Sequence, residues 1–236
     1  MLTAFIAGFL LIAISELGDK TFFIAAILAM RHSRRLVFAG VITALAAMTV
    51  ISVLVGQVAA LLPKQYILYA EIALFIGFGL KLLSQASRMP ANTCDAEVVK
   101  EAKEVVEKAE FQLPKQQTPM AIWTEAFVLT FLAEWGDRTQ IATVALATAY
   151  NPVGVISGAI LGHAICAAIA VIGGRMLAGR ISERTLTFAG GFLFLIFGLY
   201  AAFEGLGARS WGAFIPLLPL LWFRRGSVGS RRLLAS

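Results

Sequence analysis

Two short stretches of this chain could hold a metal ion. They are Glu16-Leu17-Gly18-Asp19-Lys20-Thr21 and Glu134-Trp135-Gly136-Asp137-Arg138-Thr139. Their carboxylate and hydroxyl oxygens are hard donors that suit manganese, calcium or magnesium. His32 and His163 are the only histidines, and the two cysteines are Cys94 in a polar stretch and Cys166 in an apolar one. That distribution argues against a zinc or copper cluster and against a structural disulfide.

Both stretches sit inside long apolar runs, about 2–30 and 120–150. A charged side chain facing lipid at mid-membrane costs about 2.5–3.5 kcal/mol. Six of them would cost on the order of 15–20 kcal/mol, more than the ~5–15 kcal/mol that holds a typical domain together. The acids and bases must therefore face one another, a cavity or an ion. If each run is one helix, Glu16, Asp19 and Lys20 share a face at i, i+3 and i+4, and so do Glu134, Asp137 and Arg138. Gly18 and Gly136 permit close approach of a neighbouring helix or a local break.

The elements that must position these groups are membrane helices. The chain is 59% hydrophobic and 14% charged, against about 45–50% and about 25% for a soluble domain. Its apolar stretches reach twenty residues and more, which predicts transmembrane helices and not a β-barrel. The net charge of +6 says little about nucleic acid, and none is expected as a partner. No basic stretch precedes the first apolar run, so it reads as a retained helix and not a cleaved signal. The first helix is long enough to be either tilted or interrupted at Gly18.

Six helices are expected, over about 2–30, 36–62, 66–83, 120–150, 153–178 and 186–203, with Glu204 closing the last. Residues 86–119 are polar and rich in Glu and Lys, and they read as a solvated linker helix supported by Glu104 and Lys108 at i,i+4. An offset of 118 superposes Glu16 on Glu134, Asp19 on Asp137, Gly40 on Gly158 and Gly56 on Gly174. The fold class is then an all-α integral membrane protein of two three-helix repeats, 1–85 and 120–206, joined by the linker and followed by a tail, 207–236. Three helices per repeat make the second repeat inverted, which places a substrate site near the midplane.

Arg31, Arg34, Arg35, Arg88 and the linker bases fall on one side of the membrane, whereas the opposite loops carry only Lys64. The positive-inside rule puts the linker in the cytoplasm and the N-terminus outside. The tail has an apolar stretch at 211–223, short for a span, with Pro216 and Pro219, then four arginines. It reads as interfacial or re-entrant.

Paired Glu-x-Gly-Asp-(Lys/Arg)-Thr motifs in a three-plus-three repeat resemble the GDT family of membrane cation transporters, over about residues 1–205. The resemblance implies an exchanger of a divalent cation for protons in a bacterial inner membrane. It would move manganese, with calcium the alternative, and export it from the cytoplasm. It implies Glu16, Asp19, Glu134 and Asp137 as the ion site, supported by Lys20, Thr21, Arg138, Thr139, Gly18, Gly136 and Gln140. It implies no cofactor beyond the transported ion and no enzyme activity, and a homodimer is left open.

Four carboxylates, Lys20 and Arg138 sum to a formal −2, which matches one divalent ion or two protons. A passive cation channel could use the same carboxylates. An intramembrane aspartyl protease would need Gly-x-Gly-Asp and Tyr-Asp, but Glu16 and Glu134 stand two places before the glycines and no Tyr-Asp occurs. The four acids could also form a structural ion-pair cluster locking the halves together, although buried pairs seldom repay their desolvation. Thr43, Thr49 and Ser52 read as helix-packing hydroxyls and Gln140 as a helix-packing amide, with lining of the ion path the alternative. His163 reads as a helix–helix hydrogen bond, with a proton relay the alternative. Glu71, Glu125 and Glu204 read as groups near helix ends.

Overall fold

The computed structural model describes residues 1–89, 96–112, 118–177 and 182–214. The described residues form helices and no strand. They are α1 (Leu2–Ser15), α2 (Lys20–Arg31), α3 (Arg34–Ala59), α4 (Lys64–Arg88), α5 (Ala96–Gln112), α6 (Pro119–Ala133), α7 (Arg138–Ala149), α8 (Pro152–Leu177) and α9 (Glu183–Phe214).

The helix starts follow from local chemistry. α6 opens at Pro119 behind Thr118, whose hydroxyl accepts from the Ala121 N–H at 3.2 Å. α8 opens at Pro152 behind Asn151, whose side-chain oxygen accepts from the Gly154 N–H at 3.1 Å. Proline costs nothing at a first helical position, where its missing N–H would be unpaired anyway.

By length and composition α3, α4, α8 and α9 can each cross a bilayer. α1 and α2, bent 69° to each other, are together apolar and long enough for a fifth crossing or a re-entrant loop, and α6 is a shorter apolar helix. The molecule is a multi-pass helical membrane protein.

Three expectations are corrected. The fourth helix, expected to be continuous, is broken at its motif, as the first is at Gly18, one of its two expected forms, so α1/α2 and α6/α7 are pairs of half-helices. Gly18 and Gly136 are the only described glycines with positive φ, 78° and 79°, a backbone that a helix cannot contain. The sixth helix does not close at Glu204. α9 runs on to Phe214, because the next proline is Pro216. Residues 215–236, the remainder of the expected tail, lie outside the described residues. Lastly, α5 is not a freely solvated linker. Ala102 and Val106, at i and i+4, are fully buried in the cluster built around α2. Lys20 meets Glu101 at 3.3 Å and Arg31 meets Glu107 at 3.7 Å along the same seam.

The packing is reciprocal. α1 lies on α8, α6 lies on α3, and α4 lies on α9. A methyl group at Gly40 would meet the Trp123 carbonyl oxygen at 2.6 Å, and one at Gly158 would collide with the Phe5 carbonyl. Phe5 and Trp123, like Gly40 and Gly158, stand 118 positions apart. These contacts bring helix backbones close enough to fix how α1 and α6 sit, and so where each motif ends up.

Candidate metal centre

Each motif is a helix break flanked by carboxylates. Glu16 ends α1 with its N–H on the Ile12 carbonyl at 2.9 Å, and Glu134 ends α6 with its N–H on the Thr130 carbonyl at 3.1 Å. The turn closes when the Asp19 N–H reaches the Glu16 carbonyl at 3.3 Å and the Asp137 N–H reaches that of Glu134 at 3.2 Å. Each Asp then caps the following half-helix. Asp19 accepts from the Lys20 N–H at 2.9 Å. Asp137 accepts from the Gln140 N–H at 2.7 Å, the Thr139 N–H at 3.0 Å and the Thr139 hydroxyl at 2.7 Å. The shared-face expectation is therefore corrected: Glu and Asp of one motif belong to different helices.

The break places Glu16 and Glu134 at helix C-termini, where carbonyl dipoles already favour a cation. Interrupted helices with such ends are how secondary transporters hold ions at mid-membrane.

The structure brings three of the four acids together. One oxygen each from Glu16, Glu134 and Asp137 lies within 4.8 Å of the others. Glu16 and Glu134 are buried, at 3% and 4% exposure. Oε2 of Glu16 accepts from the Thr21 hydroxyl at 3.4 Å, while its Oε1 has no hydrogen-bond partner. Three carboxylates this close, two of them buried and Asp137 half-buried, repel strongly unless a cation or protons sit among them.

Asp19 stands outside that trio, 3.7 Å from the Arg138 guanidinium. Both line an open cavity of about 180 Å³, which Ser15, Gly18, Gln85 and Val98 of α5 also line. Lys20 points instead to Glu101, so the two motif bases are not equivalent. Removing Lys20 from the charge sum leaves four carboxylates against one guanidinium, a formal −3 in place of −2.

Gln140 bridges the second motif. Its Oε1 accepts from the Gly136 N–H at 2.7 Å, and its Nε2 lies 2.9 Å from the Met48 sulfur. Thr43, Thr49 and Ser52 each bond a carbonyl of their own helix, at 2.7–2.8 Å. Thr49 and Ser52 also line a small cavity beside Glu134. Glu125 pairs with His32 at 3.8 Å. Glu71, expected near an interface, is buried. His163 is buried with Nδ1 unbonded, so the expected helix–helix hydrogen bond is absent at that atom.

Met48 and Cys166 lie at the site and were not expected there. Each reads locally as one more apolar residue. The only signal was the repeat offset of 118, which relates the two to each other.

Gly136 offers a clean test of the break. Nothing lies within 4 Å of where its Cβ would stand, so Gly136→Ala strains only the backbone. A loss of about 1–2 kcal/mol is expected in detergent unfolding, with Gly136→Asn losing less because Asn tolerates left-handed φ.

A multi-pass protein with half-helices converging on buried carboxylates belongs to the class of secondary ion transporters. A family model described as "Divalent cation/proton antiporter GDT1" matches residues 4–90 and 122–209, covering both motifs. GDT1-like protein sll0615 of Synechocystis sp. is 57% identical over 199 residues, spanning 84% of this chain and 96% of the relative. GDT1-like protein 4 of Oryza sativa subsp. indica is 44% identical over 205 residues, spanning 85% and 73%. Protein PAM71-homolog, chloroplastic, of Arabidopsis thaliana is 42% identical over 219 residues, spanning 86% and 60%. No solved structure matches the chain. The chain belongs to the GDT1 family of divalent cation/proton antiporters; it is a transporter and not an enzyme.

Proposed function

We propose that the protein exchanges manganese for protons and carries the metal out of the cytoplasm, with calcium as the second candidate substrate. The observation that carries this reading is the meeting of Glu16, Glu134 and Asp137 within 4.8 Å. Two of these acids come from one motif and one from the other, so the ion would tie the halves together. Asp19, in the open cavity with Arg138, is the first carboxylate an arriving ion meets. Thr21 and Thr139 supply hydroxyl oxygens, and Gln140 holds the second break in shape.

The architecture we propose for this exchange is six crossings in two inverted repeats, with α1/α2 and α6/α7 as the broken crossings. The reciprocal contacts of Gly40 with Trp123 and Gly158 with Phe5 support it. The N-terminus lies outside and α5 in the cytoplasm, on the distribution of Lys and Arg. The membrane is a bacterial inner membrane, a reading supported by the cyanobacterial relative.

The formal −3 sets the proton count. A divalent ion balances two of the charges. Electroneutral exchange for two protons then requires a third proton to stay bound throughout. Three-proton exchange would instead move one charge per cycle.

The test is manganese flux in proteoliposomes, with a pH gradient and with a membrane potential imposed separately. Flux driven by the pH gradient and indifferent to potential is expected. Flux that follows both the pH gradient and the potential establishes the three-proton cycle, and flux that follows the potential but ignores the proton gradient establishes a passive channel.

A further inference from the structure

Two small cavities, each of about 10 Å³, flank the carboxylate trio. That is room for one water-sized particle. The first is lined by Glu134, Asp137, Thr139, Gln140, Met48 and His163. The second is lined by Glu16, Thr21, Cys166 and, again, His163. Leu45 also lines both.

The repeat makes sense of these residues. The offset of 118 that pairs the acids also pairs Leu45 with His163 and Met48 with Cys166. Each cavity thus has a sulfur at the equivalent place, and the shared wall is apolar Leu45 on one side and imidazole on the other. Symmetry alone would have made position 163 another leucine. A histidine that is 5% exposed, with Nδ1 unbonded, is costly in a membrane core unless something uses it.

We propose that His163 and Met48, which line the first cavity with Glu134 and Asp137 although His163 stands outside the trio that lies within 4.8 Å, close on the transported ion as further ligands and select first-row transition dications over calcium and magnesium. The inference rests on the reading of the carboxylates as an ion site. Its chemistry is separate. Calcium and magnesium take oxygen donors, and replacing oxygens by imidazole nitrogen and thioether sulfur weakens them. Manganese accepts oxygen and nitrogen together, and affinity at such donors rises from manganese towards cobalt and nickel.

The Met48 sulfur is already turned towards this site. It sits 2.9 Å from Gln140 Nε2, a contact that holds the thioether at the second motif. Cys166 differs, since its thiol faces the Ala13 carbonyl at 3.6 Å. The two cavities are therefore chemically unequal, and the mixed donor set belongs to the one beside Glu134.

The experiment uses the full chain, purified, with manganese as the probe. Pulsed electron paramagnetic resonance reads nitrogen bound to manganese directly. A coordinated ¹⁴N signal is expected in the wild type and is expected to vanish in His163→Leu, the residue already present at the repeat-related position. In proteoliposomes the same variant should lose about tenfold in apparent manganese affinity, while calcium inhibits manganese flux more strongly than in the wild type. Met48→Leu, close to isosteric, should shift the manganese-to-calcium ratio the same way by a smaller factor, and cobalt should out-compete calcium only in the wild type.

Bound manganese without a nitrogen signal would overturn the inference. So would equal losses of manganese and calcium in His163→Leu, which would make the residue structural. Neither outcome touches the carboxylate reading. That reading fails separately, if Asp137→Asn still binds manganese with wild-type affinity.

Discussion

Asp137→Asn is expected to lower proton-driven manganese flux by more than about 100-fold while leaving the fold intact. The two effects separate because Asp137 has two roles. As a cap it holds three donors on its two oxygens at the start of α7; Asn keeps one accepting oxygen and remains a good cap residue, so only a small loss of stability is expected. In the proposed ion site it contributes a charge to the trio with Glu16 and Glu134, and Asn has none. Removal of a group that merely orients a metal ligand typically costs 10–100-fold, so loss of a charged ligand should cost more. Glu16→Gln and Glu134→Gln should fall in the same range. Asp19→Asn should cost less, because Asp19 lies in the open cavity against Arg138. Metal-binding titrations alongside flux check this ranking, and an Asp19 variant as impaired in binding as the Asp137 variant would contradict it.

Gly158→Val should be the most destabilising single change in the membrane core, upwards of about 3 kcal/mol. Even the first carbon of the new side chain would collide with the Phe5 carbonyl, which is backbone and cannot rotate away. The adjustment must come from separating α1 and α8, which lie along one another. That separation would also shift Glu16 at the end of α1. Gly40→Val should behave alike against Trp123, where the close contact is again a carbonyl. Gly77→Ala is the control. Nothing lies within 4 Å of its would-be Cβ, and replacing a helical glycine there should be neutral or slightly stabilising. Unfolding midpoints in detergent measure all three.

The acids were legible in the sequence because lipid makes them expensive, and an expensive residue that recurs at a fixed offset has few explanations. The helix breaks were half legible. Gly18 and Gly136 marked where a break could fall, but nothing local distinguished a break from a close helix contact. The fate of Lys20 was not legible. Its partner Glu101 is far along the chain, on a helix whose docking depends on the buried Ala102–Val106 edge. Paper arithmetic therefore counted a charge that the fold sends elsewhere. Met48 and Cys166 were hidden for a different reason. Hydropathy scores a thioether or thiol as one more apolar group, and only their positions beside carboxylates mark them out.

The small size of the two cavities has a consequence for magnesium. A volume of about 10 Å³ admits a bare ion but not one that still carries its water. Any ion entering must first shed its hydration shell and accept the protein's donors in exchange. Magnesium gives up its water reluctantly and prefers sites where it keeps several molecules. Magnesium is therefore expected to bear the greater dehydration cost, which adds to the preference of the donors inside.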